Sequence, residues 1–191
     1  TRPATPPGGP PGGATVPGGN RPRGDDMAGT DDRSAEARAA YDRYVAERGR
    51  VERGERTWGS LAEEFFTDDV VFIDPAWGRS EGREAVARFM DESMQGLEDW
   101  TFPEEWTMVD GDRVVSFWWN RLPGTDANGR PYQAPGVSIM RYAGDGRFDH
   151  ELDILNMAEV MEILTDSGWQ PQGAMNLPPK EPIRHTDPPA R

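Results

Sequence analysis

The sequence predicts an α+β fold: a curved antiparallel sheet wrapped around helices that pack on one face. Two observations lead there. Apolar residues recur at helical spacing through the first half of the folded region and alternate at strand spacing through most of the second half. The long strands then follow one another through short turn signals rather than through helices, which is the pattern of a hairpin-built antiparallel sheet. The predicted order is α-α-β-α-β-β-β-β-α.

Residues 1–26 hold almost no large apolar side chain and cannot offset the entropy of ordering, so 1–34 is expected to be a disordered tail. This stretch lacks the apolar run of a signal peptide, and the change of composition at Met27 marks an expected natural start there. From Ser34, SAEARAAYDRYVAERGRV sets Ala37, Ala40, Tyr41, Tyr44, Val45 and Arg48 on one helical stripe. The polar ERGERT ends that helix. Thr57 is placed to cap a second one, WGSLAEEFF, with Trp58, Leu61, Ala62 and Phe65 inward. TDD closes it and DVVFID is the first strand. After PAWGRS, the segment EGREAVARFMDESMQG repeats Ala85/Val86, Phe89/Met90 and Ser93/Met94, a third helix.

The period then changes to two. WTFPEEWTMV and RVVSFWWNRL are strands joined at Asp110-Gly111-Asp112, because Asp-Gly supplies the positive φ of a tight hairpin. PGTDANGRPYQ is a polar loop or a longer hairpin tip around Asn128-Gly129. GVSIMRYAGDGRFDHELDILN makes another hairpin, turned at 144–146. Asn156 and Glu159 form a capping-box pattern before a last helix, MAEVMEILTDSGW. The folded domain is thus 35–170, followed by a Pro-rich tail, 171–191, in which Met175 and Leu177 are the side chains able to pin it down.

Composition narrows the function. A net charge of −13, with no Lys/Arg cluster inside the domain, opposes binding to nucleic-acid phosphates. No apolar run approaches the roughly 18 residues of a membrane span. The chain has no cysteine, which removes disulfides, thiol catalysis and thiolate metal sites together. No glycine loop has the strand-to-helix context that cradles phosphate. A cytoplasmic protein with a small-molecule partner, and with neither nucleic acid nor membrane as partner, is expected.

The stretch VVFIDPAWG (70–78) ends an apolar strand on an acid, Asp74. Taken locally, Asp-Pro is a turn signal, since proline fixes φ and the carboxylate accepts nearby backbone N–H groups. Three longer stretches add to it: DRYVAE (42–47), EEFFTDDVVFIDPAWGRSEGREAVARFM (63–90) and APGVSIMRYAGDGRF (134–148). With the element order, these resemble the cystatin-like α+β cone superfamily that includes nuclear transport factor 2, the SnoaL-like polyketide cyclases and ketosteroid isomerase. The resemblance covers roughly 36–165. It implies a cone-shaped pocket, acid–base chemistry of isomerase, cyclase or dehydratase type without a cofactor, and a small hydrophobic carbonyl, polyketide or steroid-like ligand. It also implies a homodimer paired through the open sheet face.

In ketosteroid isomerase the aspartate of a similar segment is the general base, and a first-helix tyrosine donates a hydrogen bond to the oxyanion. The matching positions are Asp74 and Tyr44. The family's second donor, a carboxyl kept neutral by an apolar site, falls near Val137 or Ser138, where no carboxyl stands. Ser138 is then a weaker donor. Trp77 is placed to shield Asp74 from water. Trp118 and Asn120 on one strand, and Ser138, Met140 and Tyr142 on the next, are candidate substrate contacts.

His150, the lone histidine within the domain, is a candidate proton shuttle near Asp74, although alternation sets it opposite Glu151 and Asp153 on its strand. A single histidine with no second ligand at useful spacing predicts no metal site. Asp153, with Arg141, imitates part of the Asp-Arg-Asp set that the resemblance associates with epoxide hydrolases. Two alternatives therefore stand beside the isomerase or cyclase: an epoxide-hydrolase-like enzyme, and a non-catalytic ligand-binding or dimerisation module.

Overall fold

The structure, a computed structural model, describes residues 24–189, with side chains from Asp32 onward. The elements are α1 (Gly24–Glu52), α2 (Gly59–Phe65), β1 (Phe66–Asp74), β2 (Gly78–Glu81), α3 (Arg83–Ser93), β3 (Glu104–Asp110), β4 (Arg113–Thr125), β5 (Pro131–Gly144), β6 (Arg147–Leu155) and α4 (Met157–Ser167). The predicted α+β fold is present, with one added strand. The disorder expected for the Pro/Gly-rich start lies outside the described residues up to 23, and α1 begins at Gly24 rather than Ser34.

Local chemistry explains most boundaries. Thr57 Oγ1 accepts the Ser60 N–H at 3.3 Å just before α2, but the N-cap position itself falls one residue later than expected, on Trp58, which has no side-chain cap. The acidic TDD joins β1 instead of ending a helix. Gly111 at φ 57°, then Asp145 and Gly146 at 52° and 73°, supply the positive φ of the two tight hairpins. The Asn128-Gly129 region is the tip of a long β4–β5 hairpin, where Asp126 Oδ1 accepts the N–H groups of Asn128 and Arg130. Asn156 caps α4 by accepting the Glu159 N–H at 3.5 Å.

The six strands run in the order β2-β1-β6-β5-β4-β3. The sheet is mixed rather than purely antiparallel, because β1 pairs with β6 in parallel. The reason is topological. Between them the chain passes through β2, α3, β3, β4 and β5, and β6 then arrives beside β1 in the same sense. β2 escapes sequence reading because GRSE has no apolar alternation; it is a short polar edge strand.

Two apolar clusters flank the inner sheet face. One gathers Tyr41, Tyr44, Leu61, Phe65, Phe66, Phe72, Val86, Met140 and Phe148; the other gathers Trp100, Leu122, Ala134 and Val160, with Leu164 and Trp169 against it. Between them the inner face carries polar side chains instead of a filled core.

The α2–α3 contact depends on Gly59. A Cβ there would lie 2.5 Å from Asp91 Oδ2 and 2.8 Å from the Ala87 carbonyl, and the Gly59 N–H donates to Asp91 Oδ1 at 2.6 Å. Gly59→Ala is expected to lower unfolding free energy by about 1–3 kcal/mol, the usual penalty of overpacking. Urea titration of both proteins checks this, and an unchanged midpoint would mean that the helices part without loss.

Past α4 the chain turns back over the domain. The Ile183 carbonyl accepts the Arg79 N–H at 2.8 Å, and the Pro189 carbonyl accepts from Arg141 Nη2 at 2.9 Å. Gly78, at φ 85°, leaves room for this return: a Cβ there would come within 2.7 Å of the Ile183 carbonyl. Among the described residues no helix is long and apolar enough to cross a membrane.

Candidate functional site

A cavity of about 400 Å³ opens between the two clusters. Its walls are Tyr44 and Arg48 of α1, residues at the ends of β1 and α3, the inner faces of β4, β5 and β6, α4, and Met175–Pro178 of the returning segment. The lining is mostly apolar, with a group of polar side chains at the sheet and Tyr44, Arg48, Ser93 and Asn176 around it.

Asp74 reaches this cavity from the end of β1. Its Oδ1 accepts the N–H groups of Ala76 and Trp77, both at 2.7 Å, an Asx-turn enforced by Pro75. Its Oδ2 has no partner among the described residues. Burial pushes the Asp74 pKa above the usual carboxylate value, and the two backbone N–H donors pull against that rise. The Trp77 ring lines the same cavity, 6.1 Å from that of Phe89.

The sheet wall faces Asp74 with a connected chain of donors. The Trp118 indole N–H donates to Ser138 Oγ at 2.9 Å, and the Ser138 hydroxyl donates to Asp153 Oδ1 at 2.6 Å. Register explains the second bond, since Ser138 and Asp153 are direct cross-strand partners. Gly136 explains the first. A Cβ there would lie 2.7 Å from the Trp118 ring, so the bare backbone admits the indole. In the parallel β1–β6 pair, Phe72 opposes Glu151 and Ile73 opposes Leu152, which brings Asp74 alongside Asp153.

Three acids therefore line one mostly apolar cavity. Burial raises the Asp153 pKa to about 7 against the Ser138 hydrogen bond, and the Asp74 charge adds to the rise. Burial, then the Asp153 charge, raises Glu151 well above the usual carboxylate range. Glu151 is buried and its Oε2 has no partner among the described residues, and the same holds for Asn120 Oδ1. Among the described residues Arg48 is the one cation in the lining. Burial works against its charge, yet Tyr41, Tyr44, Glu52 and Glu104 raise its pKa, so it stays protonated. Its Nη2 donates to the Phe102 carbonyl at 3.2 Å.

The two tyrosines of α1 differ. Tyr41 donates to Glu104 Oε2 at 2.6 Å and is satisfied there. The Tyr44 hydroxyl makes no hydrogen bond among the described residues and lines the cavity. Burial, then the Glu151 charge, keeps it protonated well above its ordinary pKa.

The sequence matches the SnoaL-like domain family over residues 38–150, more than half of the chain. The chain belongs to the SnoaL-like domain family. No curated protein sequence matches it. Solved structures share the fold at low identity. A provisionally assigned SnoaL-like polyketide cyclase from Shewanella putrefaciens is 13% identical, with a TM-score of 0.55 over 78% of this chain and 99% of that one. A provisionally assigned polyketide cyclase from Acidithiobacillus ferrooxidans is 16% identical, with a TM-score of 0.51 over 68% of this chain and 94% of its own. A nuclear transport factor 2-like protein of unknown function from Burkholderia pseudomallei is 17% identical, with a TM-score of 0.50 over 68% and 98%.

Within this SnoaL-like domain the structure gathers Asp74, Tyr44, Trp77, Trp118, Asn120, Ser138 and Asp153 around one cavity. It does not bring the other candidates there. His150 points from the opposite face of β6, with Nε2 3.2 Å from the Thr186 carbonyl, and burial holds its pKa below the ordinary value. A strand cannot aim neighbouring residues at one cavity, so His150 is no shuttle for Asp74. Arg141 also faces outward and is held by both oxygens of Asp149, at 2.7 and 2.9 Å, so it does not join Asp153 in an Asp-Arg-Asp set. Met140 and Tyr142 share the Ser138 face but lie further along β5, inside the filled cluster under α1.

Sequence reasoning missed Glu151 and Arg48 as site residues of the SnoaL-like domain. Both carried a signal. Glu151 is two residues from Asp153 on the inward face of β6, and Arg48 is one helical turn from Tyr44. Among the described residues no group of three or more His, Cys, Asp or Glu side chains is arranged to hold a metal ion.

Proposed function

We propose that this SnoaL-like domain is an acid–base enzyme, of isomerase, cyclase or dehydratase type and working without a cofactor, that moves a proton next to the carbonyl of a small, mostly apolar molecule. One observation carries the proposal. Asp74, with a free carboxylate oxygen at an apolar cavity, stands alongside a second acid, Asp153, whose pKa of about 7 keeps a large share of it protonated at neutrality. Two neighbouring carboxyl groups, one of them with a free oxygen and the other held largely neutral, divide the roles of base and acid.

Asp74 Oδ2 takes the proton from the carbon beside the carbonyl. The C–H bond breaks, its electron pair moves toward the carbonyl oxygen, and the new O–H sits on Asp74. The oxygen accepts hydrogen bonds from neutral groups on the facing wall: Tyr44, and the protonated Asp153–Glu151 pair. That pair supplies the neutral carboxyl missing at the Ser138 position, one strand further on. Asp74 then returns its proton to another carbon, or the enolate carbon attacks an electrophile within the same molecule. Asn120 orients the substrate through a second polar group.

An open cavity between the clusters, where a filled core would stand in a purely structural module, favours this over a non-catalytic role. The test is proton exchange. Incubated in deuterium oxide with a panel of cyclic ketones and enones, the protein is expected to place deuterium at the carbon beside the carbonyl of one or more members. Exchange no faster than in buffer across the panel, with epoxides opened instead, would replace the proposal with hydrolase chemistry.

Pairing of two copies through the outer sheet face belongs to the same proposal. There Trp106 stacks on Phe117 at 5.6 Å, and Met108 and Ile154 are 66% and 51% exposed. Sedimentation at micromolar concentration is expected to give twice the chain mass, and a Met108→Lys variant the single mass.

A further inference from the structure

We infer that the segment after α4 builds a second subsite at the cavity mouth, and that the ligand is an amphiphile whose apolar chain extends through it. For the position of the polar head this rests on the function proposed above. The residues that build it, Met175–Pro178, lie beyond the stretch matched by the SnoaL-like family, 38–150.

The returning segment is fixed at several points. Asn176 Nδ2 donates to the Glu92 carbonyl at 3.0 Å and to Gln95 Oε1 at 2.7 Å, which ties it to the end of α3. Met175 packs on Gly96, where a Cβ would stand 3.1 Å from Met175 Cβ. The chain then crosses to the edge of β2, where Ile183 holds Arg79. Between these anchors Met175 and Leu177 line the cavity from outside the cone.

The two ends of the cavity differ in chemistry. The sheet end holds Asp74, Asn120, Ser138, Glu151 and Asp153, with unpartnered oxygens on Asn120 and Glu151. Five of the chain's eight methionines, Met90, Met94, Met157, Met161 and Met175, line the cavity, and Met161 and Met175 are exposed at its mouth. Unbranched thioether chains re-pack around flexible apolar partners without a fixed shape.

Exposure decides how far the ligand reaches. Met161, Met175 and Leu177 line the cavity and yet are 58%, 41% and 73% exposed. A ligand confined to the sheet end leaves these three in water. One that continues past the acids as a chain covers them, and each buried methylene adds to binding.

Straight-chain methyl ketones from 2-pentanone to 2-decanone test this, with affinity read by tryptophan fluorescence in the full-length protein and no turnover required. Affinity is expected to rise about fourfold per methylene over the lengths that reach the mouth. A Met161→Ala/Met175→Ala/Leu177→Ala variant is expected to lose about tenfold of the ratio between the longest and shortest ketones. Leu177→Ser, at an exposed position, gives a smaller loss in the same ratio and guards against misfolding of the triple variant. A ratio near one in the wild type, or the same ratio in every variant, overturns the subsite. Because binding alone is read, an absence of proton exchange would sink the enzyme proposal and leave this one standing.

Discussion

Asp74→Asn is expected to lower turnover about 10²–10⁴-fold, the usual contribution of a positioned general base, while melting within about 2 °C of the wild type. The geometry separates the two effects. Asp74 has two tasks on two oxygens: Oδ1 closes the turn by accepting from Ala76 and Trp77, and Oδ2 faces no partner among the described residues. An asparagine oxygen closes the same turn, but its amide nitrogen cannot take a proton. Asp74→Ala removes both tasks. It should show a comparable loss of turnover and, in addition, about 1–2 kcal/mol less stability, since two N–H groups lose their acceptor. Steady-state rates with the ketone identified by deuterium exchange, beside thermal melts of all three proteins, check the pair of outcomes. A less than tenfold loss in Asp74→Asn would leave Asp74 as a turn residue alone.

That double use shows why part of the site was legible in the sequence. Asp-Pro after an apolar strand signals both a turn and a pocket acid, and the two uses are compatible because a carboxylate has two oxygens. Strand alternation likewise set His150 opposite Asp153. Offering both to one cavity ignored that consequence, and the structure puts His150 under Thr186 on the far side. Along β5, alternation puts Ser138, Met140 and Tyr142 on one face but cannot tell where that face stops lining a cavity. The aromatic packing of Tyr44, Phe65, Phe66 and Phe148 decides it, and those contacts are long-range. The polar strand β2 and the returning segment after α4 carry no periodicity. Single backbone bonds such as Arg79 to Ile183, and the missing side chain of Gly78, hold the return in place. Patterns of apolar residues do not encode such contacts.

The acid pair on β6 makes the protein less stable as pH rises, which is the reverse of ordinary acid denaturation. Asp153 titrates near 3.8 when unfolded and about 7 in the fold. Below the lower value the carboxyl is protonated in both states and imposes no penalty. Between the two, the unfolded chain gives up its proton and the folded chain does not, so stability falls through this window and levels off above about pH 7. A shift of this size corresponds to about 4 kcal/mol at most, since cavity water softens the burial. Glu151, raised by burial and by the Asp153 charge, adds to the fall. His150 works in the opposite sense. Its pKa is lowered in the fold, so it adds stability as pH rises from that value to its unfolded one, and the net slope below about pH 6.5 is shallower than the acids alone would give. Asp153→Asn isolates the acid: the amide still accepts from Ser138, carries no charge, and should melt several degrees above wild type at pH 8 but close to it at pH 4. The same titration bounds catalysis. With Asp74 as an ionised base and Asp153 as a neutral donor, kcat/KM follows a bell whose alkaline limb falls near pH 7. In Asp153→Asn that limb should move upward while the acid limb, set by Asp74, stays in place. An alkaline limb that ignores this substitution would assign the neutral donor to Glu151 or Tyr44, whose carboxyl and phenol are also raised by burial.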